Sequence, residues 1–144
     1  MLIAVDFDGT IVEHRYPEIG KEIPFAISTL KRLQEEHHRL ILWTVREGEL
    51  LDEAVAFCRQ RGLEFYAVNA NFPEEEAKPG MTACRKLKAD LFIDDRNVGY
   101  LPDWGDIYEL VHRRCSYRRY LRELQQTHEP EERPSFWKRL FRGL

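Results

Sequence analysis

Short continuous apolar runs alternate along this chain with longer segments in which apolar residues recur every three or four positions. Leu2-Ile3-Ala4-Val5, Leu40-Ile41-Leu42-Trp43-Thr44, Phe65-Tyr66-Ala67-Val68 and Leu91-Phe92-Ile93 are the short runs. Each reads as a strand buried on both faces. Between them, residues 24–38 place Ile27, Leu30 and Leu33 at helical spacing behind Pro24, and residues 49–61 do the same through Leu50, Leu51, Ala54, Val55 and Cys58. Gly62 stands where a helix terminator is wanted. A short helix is expected over 81–88 and a longer helical stretch over 103–126, with 106–108 also open to a short strand. Strands alternating with helices predict parallel strands joined by right-handed crossovers, hence a three-layer α/β sandwich. Residues 1–126 form the expected domain, 127–135 a linker, and 136–144 a short basic amphipathic tail carrying Phe136, Trp137, Leu140, Phe141 and Leu144. That tail is expected to dock on its own domain or on a neighbour.

The chain has 144 residues, of which 43 % are hydrophobic and 33 % charged, a soluble globular balance. No apolar run approaches the ~20 residues of a membrane span. The amino terminus lacks the basic region of a signal peptide, so a cytoplasmic location is expected. Charge is uneven: residues 1–111 carry 13 basic against 21 acidic side chains, and residues 112–144 carry 9 against 4. An acidic body repels phosphate backbones, so nucleic acid is not an expected partner. Three widely separated cysteines, Cys58, Cys84 and Cys115, suggest inert thiols and neither a zinc site nor a disulfide framework.

The chemistry lies where the strands end. The first leads into Asp6-Phe7-Asp8-Gly9-Thr10, the second ends at Thr44, the third at Asn69 and the fourth at Asp94-Asp95. The carboxyl ends of parallel strands share one edge, where open α/β sheets bind ligands. The topology therefore gathers Asp6, Asp8, Thr44, Asp94 and Asp95 into one pocket. Carboxylates ~4 Å apart repel by about 4 kcal/mol per pair at an effective dielectric near 20. Some must stay protonated, or a hard cation must sit among them, and magnesium suits oxygen ligands. Gly9 permits a turn that brings Asp8 over the site. One carboxylate can then attack phosphorus while the other exchanges protons. Thr44 offers a hydroxyl and a nearby amide to phosphoryl oxygens.

Asp-Phe-Asp-Gly-Thr after an amino-terminal apolar strand, then a strand-end threonine, a lysine and a late Asp-Asp pair, resembles the haloacid dehalogenase superfamily over residues 1 to about 100. The resemblance implies a Rossmann-like fold and magnesium-dependent phosphoryl transfer. Asp6 would be the nucleophile and Asp8 the general acid/base, its backbone carbonyl also binding the metal. Thr44 would bind phosphate, Asp94 would ligate the metal directly, and Asp95 would complete that site. A carboxylate at Asp8 implies a phosphatase or phosphotransferase and argues against a dehalogenase. Lys86 has the best spacing for the motif lysine, with Lys88 and Lys78 as alternatives. Neither cap insertion point has room for a domain, which implies an open site with a flap over residues 11–23. A neighbouring subunit in a homo-oligomer would be one way to shield it. Glu13, His14, Arg15, Tyr16, Arg46, Asn69, Asn71 and Arg96 are candidates to read the leaving group, with salt bridges and loop caps as the alternative roles. The expected activity is hydrolysis of a phosphomonoester, from a small phosphorylated molecule or a larger phosphoester. A phosphotransferase or a silent phosphate-binding protein are the alternatives on the same fold. A response-regulator receiver would need its acidic pair early and its acceptor aspartate mid-chain, the reverse of the order here.

Overall fold

The computed structural model describes residues 1–75 and 86–127. The chain divides into two compact units, Met1–Tyr108 and Glu109 onward. The first is built on four parallel strands, β1 (Leu2–Val5), β2 (Arg39–Leu42), β3 (Ala67–Val68) and β4 (Leu91–Ile93), in the order β3-β2-β1-β4. Helix α1 (Ala26–Glu35) joins β1 to β2, and α2 (Gly48–Gln60) joins β2 to β3. This is an α/β fold with the first motif strand in the interior of the sheet.

The apolar runs become strands because both faces of the sheet are covered. Ala4, Ile41 and Ala67 form one face with Leu87, and Trp43, Tyr66 and Phe92 pack against them. The alternate positions Ile3, Val5, Leu40, Leu42 and Ile93 point the other way and are equally buried. Strands β1 and β4 coincide with their apolar runs, whereas β2 stops before the end of its run and β3 starts after the beginning of its own. Even so, Trp43 N–H donates to the Val5 carbonyl at 2.8 Å and Asn69 N–H to the Leu42 carbonyl at 2.8 Å, so the ladder continues past both formal ends.

Helix α1 buries Ala26, Ile27, Leu30 and Leu33, the stripe its periodicity predicts. It starts at Ala26 because Phe25 takes a left-handed conformation, φ 68°, so Pro24 precedes the helix. Helix α2 ends as its sequence suggests. Gly62 sits at φ 76°, and the Leu63 and Gly62 N–H groups return to the Cys58 and Arg59 carbonyls, a Schellman closure. Residues 86–89 have no regular structure, so the helix expected over 81–88 is not formed at its carboxyl end, and 81–85 lie outside the described residues.

The expected continuous helix over 103–126 is two helices, α3 (Trp104–His112) and α4 (Tyr117–Thr127). Arg114 adopts φ 48°, and the Cys115 and Arg114 N–H groups close onto the Leu110 and Val111 carbonyls. Ser116 then caps α4, its hydroxyl accepting from the Arg119 N–H at 3.4 Å. Within this second unit Glu123 pairs with both Arg113 and Arg119. The tail over 136–144, Cys84 and Lys78 fall outside the described residues. No helix among the described residues is long and apolar enough to cross a membrane. Burial pushes the Cys58 thiol up to about 12, so it stays protonated and inert.

Candidate active site

Asp6 follows β1 and Asp94 follows β4, and these strands pair directly, with Val5 opposite Ile93. The Asp6 N–H extends that ladder onto the Ile93 carbonyl at 2.9 Å. Asp6, Asp94 and Asp95 are thereby brought together, one oxygen from each lying within 4.8 Å of the others, a spacing that can hold a metal ion. One oxygen of Asp95, Oδ1, is buried without a hydrogen-bond partner. Unpaired buried carboxylate oxygens are costly, and a cation held by this oxygen would offset that cost.

Thr10 holds the cluster from beneath. Its side chain is fully buried, its hydroxyl donates to Asp6 Oδ2 at 3.0 Å, and the same oxygen accepts the Asp95 N–H at 3.1 Å. Its carbonyl accepts from the Trp104 indole at 3.3 Å. Sequence reasoning gave Thr10 no role of its own, although it closes the Asp-Phe-Asp-Gly-Thr motif. Gly9, at φ 91°, lies so close to Asp95 that a Cβ would stand 2.3 Å from its Oδ2. Burial above all, with the charges of Asp94 and Asp95, pushes the Asp6 carboxyl up to about 7, against the Phe7 N–H and the Thr10 hydroxyl that favour its charged form.

Asp8 is not part of the carboxylate triad. Its two oxygens accept from Arg46, Nε to Oδ2 and Nη2 to Oδ1, both at 2.7 Å. Arg46, expected as a candidate substrate contact, has no exposed surface. Its remaining bonds run to the flap carbonyls of Pro17 at 2.8 Å and Glu18 at 2.9 Å. Its guanidinium also stacks 5.2 Å from the Phe7 ring centroid and 5.3 Å from that of Tyr16. A charged side chain tolerates such burial when nearly every donor is satisfied, and the Asp8 hydrogen bonds raise its affinity for its proton further.

Thr44 is buried beside the triad. Its own N–H donates to Asn69 Oδ1 at 2.8 Å, and its hydroxyl oxygen accepts the Arg46 N–H at 3.2 Å. Thr44's own amide is therefore committed to Asn69, which sits at φ 49° with its Nδ2 buried and unpartnered. Asn71 instead organises a loop, bonding Glu75 and the Lys88 N–H.

A cavity of about 280 Å³ opens over the site. Asp6, Asp8, Asp94 and Thr44 line it, together with Trp43, Val45, His14, Tyr16 and Arg96. Arg96 Nη2 meets His14 Nε2 at 3.2 Å, joining the flap to the loop after β4. The flap is a short hairpin, with Val12 bridged to Glu22 and the Glu13 N–H bonded to the Lys21 carbonyl at 2.8 Å. Arg15 is exposed on it and outside the cavity lining. The exposed Lys86 places Nζ 5.6 Å from the Phe92 ring centroid, and Phe92 stacks edge-on with Trp43 of the cavity wall at 5.0 Å. Neither Lys86 nor Phe92 lines the cavity.

These features define an α/β protein with a carboxylate cluster at the carboxyl edge of a parallel sheet. A conserved protein of Bacteroides thetaiotaomicron, of solved structure, is 68 % identical, the match covering 82 % of this chain and 94 % of that one with a TM-score of 0.75. The chain belongs to the same family as that protein. No protein-family model matches the sequence, and no curated protein matches it.

Proposed function

We propose that this chain is a magnesium-dependent phosphohydrolase acting on phosphomonoesters through an aspartyl-phosphate on Asp6, with the three-layer Rossmann-like architecture of the superfamily it resembles. The observation that carries the reading is the triad of Asp6, Asp94 and Asp95 with its unpartnered buried oxygen. Those three side chains would hold the ion. Bound there, magnesium would relieve their repulsion and draw charge from a phosphoryl group. Asp6 would attack phosphorus, displacing the alcohol, and water would then release phosphate from Asp6. Asp8 is the proton-exchanging group in this scheme. The Thr44 hydroxyl and Lys86 would meet phosphoryl oxygens, Lys86 after a side-chain movement toward the cavity. A cavity of about 280 Å³ favours a small phosphorylated molecule, with Arg96 and His14 at its rim to meet the leaving group. The cytoplasm supplies both such substrates and free magnesium, and is the compartment this reading assigns.

The test is phosphate release from para-nitrophenyl phosphate with magnesium, with chelator, and with Asp6→Asn. Metal-dependent release that vanishes in Asp6→Asn is expected. Release that persists in the variant would remove Asp6 as nucleophile.

A further inference from the structure

A carboxylate at a strand end can rotate about both side-chain torsions, and a proton-exchanging group must not. Arg46 removes that freedom from Asp8. Its planar fork takes both carboxylate oxygens at 2.7 Å, while Nη1 and Nη2 also hold the Pro17 and Glu18 carbonyls of the flap. Four of its five N–H donors are thereby engaged, and with no exposed surface it is out of a substrate's reach.

We infer that Arg46 is a positioning residue: it aims the Asp8 carboxylate and pins the flap to the same guanidinium, so that the proton acceptor and the cavity wall are set together. A lysine offers one point of charge where this site needs a fork. The chemical half of the inference rests on the phosphohydrolase reading, and the flap half does not.

The step most exposed to Asp8's aim is release of the aspartyl-phosphate. There the water oxygen bonds to phosphorus and the bond from phosphorus to the Asp6 oxygen breaks, its electron pair returning to Asp6. A water proton passes to Asp8, and inorganic phosphate leaves. The preceding attack on para-nitrophenyl phosphate expels a phenolate that needs no proton. Loss of Arg46 should therefore slow the second step selectively.

Two measurements on the full chain test this. In rapid-mixing kinetics with para-nitrophenyl phosphate and magnesium, Arg46→Lys should release about one equivalent of nitrophenolate and then turn over about 100-fold more slowly than wild type, the scale of a misplaced proton-transfer group. Adding Arg46→Lys to Asp8→Asn should slow turnover little further, because Arg46 acts through Asp8. Burst and turnover falling together, or full additivity with Asp8→Asn, would overturn the positioning role. Separately, trypsin should cut after Arg15, on the flap, several-fold faster in Arg46→Lys and Arg46→Gln at temperatures below their melting transitions. An unchanged cutting rate in either folded variant would overturn the flap anchor. Should wild type itself release no phosphate, the hydrolase reading and the Asp8 half fall together, while the trypsin result still decides the flap anchor.

Discussion

Thr10 Oγ1 lies 3.0 Å from Asp6 Oδ2, and the same hydroxyl accepts the backbone N–H of Asp95 at 3.1 Å. One buried oxygen thus ties the end of β1 to the loop after β4. Thr10→Val keeps the shape and removes both bonds, leaving the Asp95 N–H without its acceptor. The expected cost is about 1–3 kcal/mol of stability, the price of one unsatisfied buried polar group. The Asp6 carboxyl should also rise further, because a group favouring its charged form is gone. Urea denaturation checks the first and a carboxyl NMR titration of Asp6 the second.

Gly9→Ala should damage the carboxylate cluster without touching a carboxylate. The new Cβ would stand 2.3 Å from Asp95 Oδ2 at a backbone φ of 91°, which a side chain rarely adopts. Asp95 must move, and the expected loss of magnesium affinity is about 10–100-fold, the range for disturbed metal-supporting residues. Isothermal titration with magnesium, on a variant whose circular dichroism matches wild type, measures it.

Metal and proton should compete for Asp6. Its carboxyl is pushed from 3.8 up to about 7, so the metal-free folded protein keeps a proton there that the unfolded chain has lost. That contribution to stability is fully present below pH 3.8 and lost as pH rises through about 7. Without metal, wild type should therefore lose stability relative to Asp6→Asn across this window. Magnesium binding below the window's upper end should release a proton, and well above it should release none. Calorimetry in buffers of different ionisation enthalpy counts that proton, and equal counts at pH 6 and pH 9 would contradict the assignment.

Asn69 offers Thr44 an acceptor and leaves Nδ2 buried and unpartnered. Asn69→Asp keeps the acceptor and exchanges the donor for a charged oxygen. A buried charged oxygen then stands where a buried neutral donor stood, and the folded protein should lose about 1–3 kcal/mol of stability. Urea denaturation of the variant beside wild type reads the effect.

The strands and the acidic residues at their ends were legible because burial on two faces demands continuous apolar runs, and a run broken by Asp6 or Asp94 marks where the sheet stops. One of the three left-handed helix ends was not legible. Gly62 announces its own turn and the polar His37-His38 stretch reads as a helix end, but Arg114 adopts φ 48° with a side chain that seldom does. Ser116, a good N-cap residue directly after Arg114, was the available sign that α3 and α4 are separate. Arg46 misled for a related reason: arginine is ordinarily exposed, and nothing local records a pairing with Asp8 from 38 positions away. The contact of Asn69 with Thr44 was hidden in the same way, because nothing local says that Asn69, 25 residues on, reaches back to take the Thr44 amide.

The pairing of β1 with β4 acts as a ruler. Ile3, Ala4 and Val5 face Leu91, Phe92 and Ile93, and the alignment is fastened at both ends. The Leu2 N–H bonds the Asp90 carboxylate at 2.7 Å and the Asp90 N–H the Leu2 carbonyl at 2.8 Å, while the Asp6 N–H holds Ile93 beyond. A slip of one residue would carry Asp94 about 3.3 Å along the strand and turn its side chain to the opposite face. The spacing of the triad is thus calibrated by backbone pairing several residues away, and a substitution at Asp90, remote from any phosphoryl group, would be felt as a change in the distance between Asp6 and Asp94.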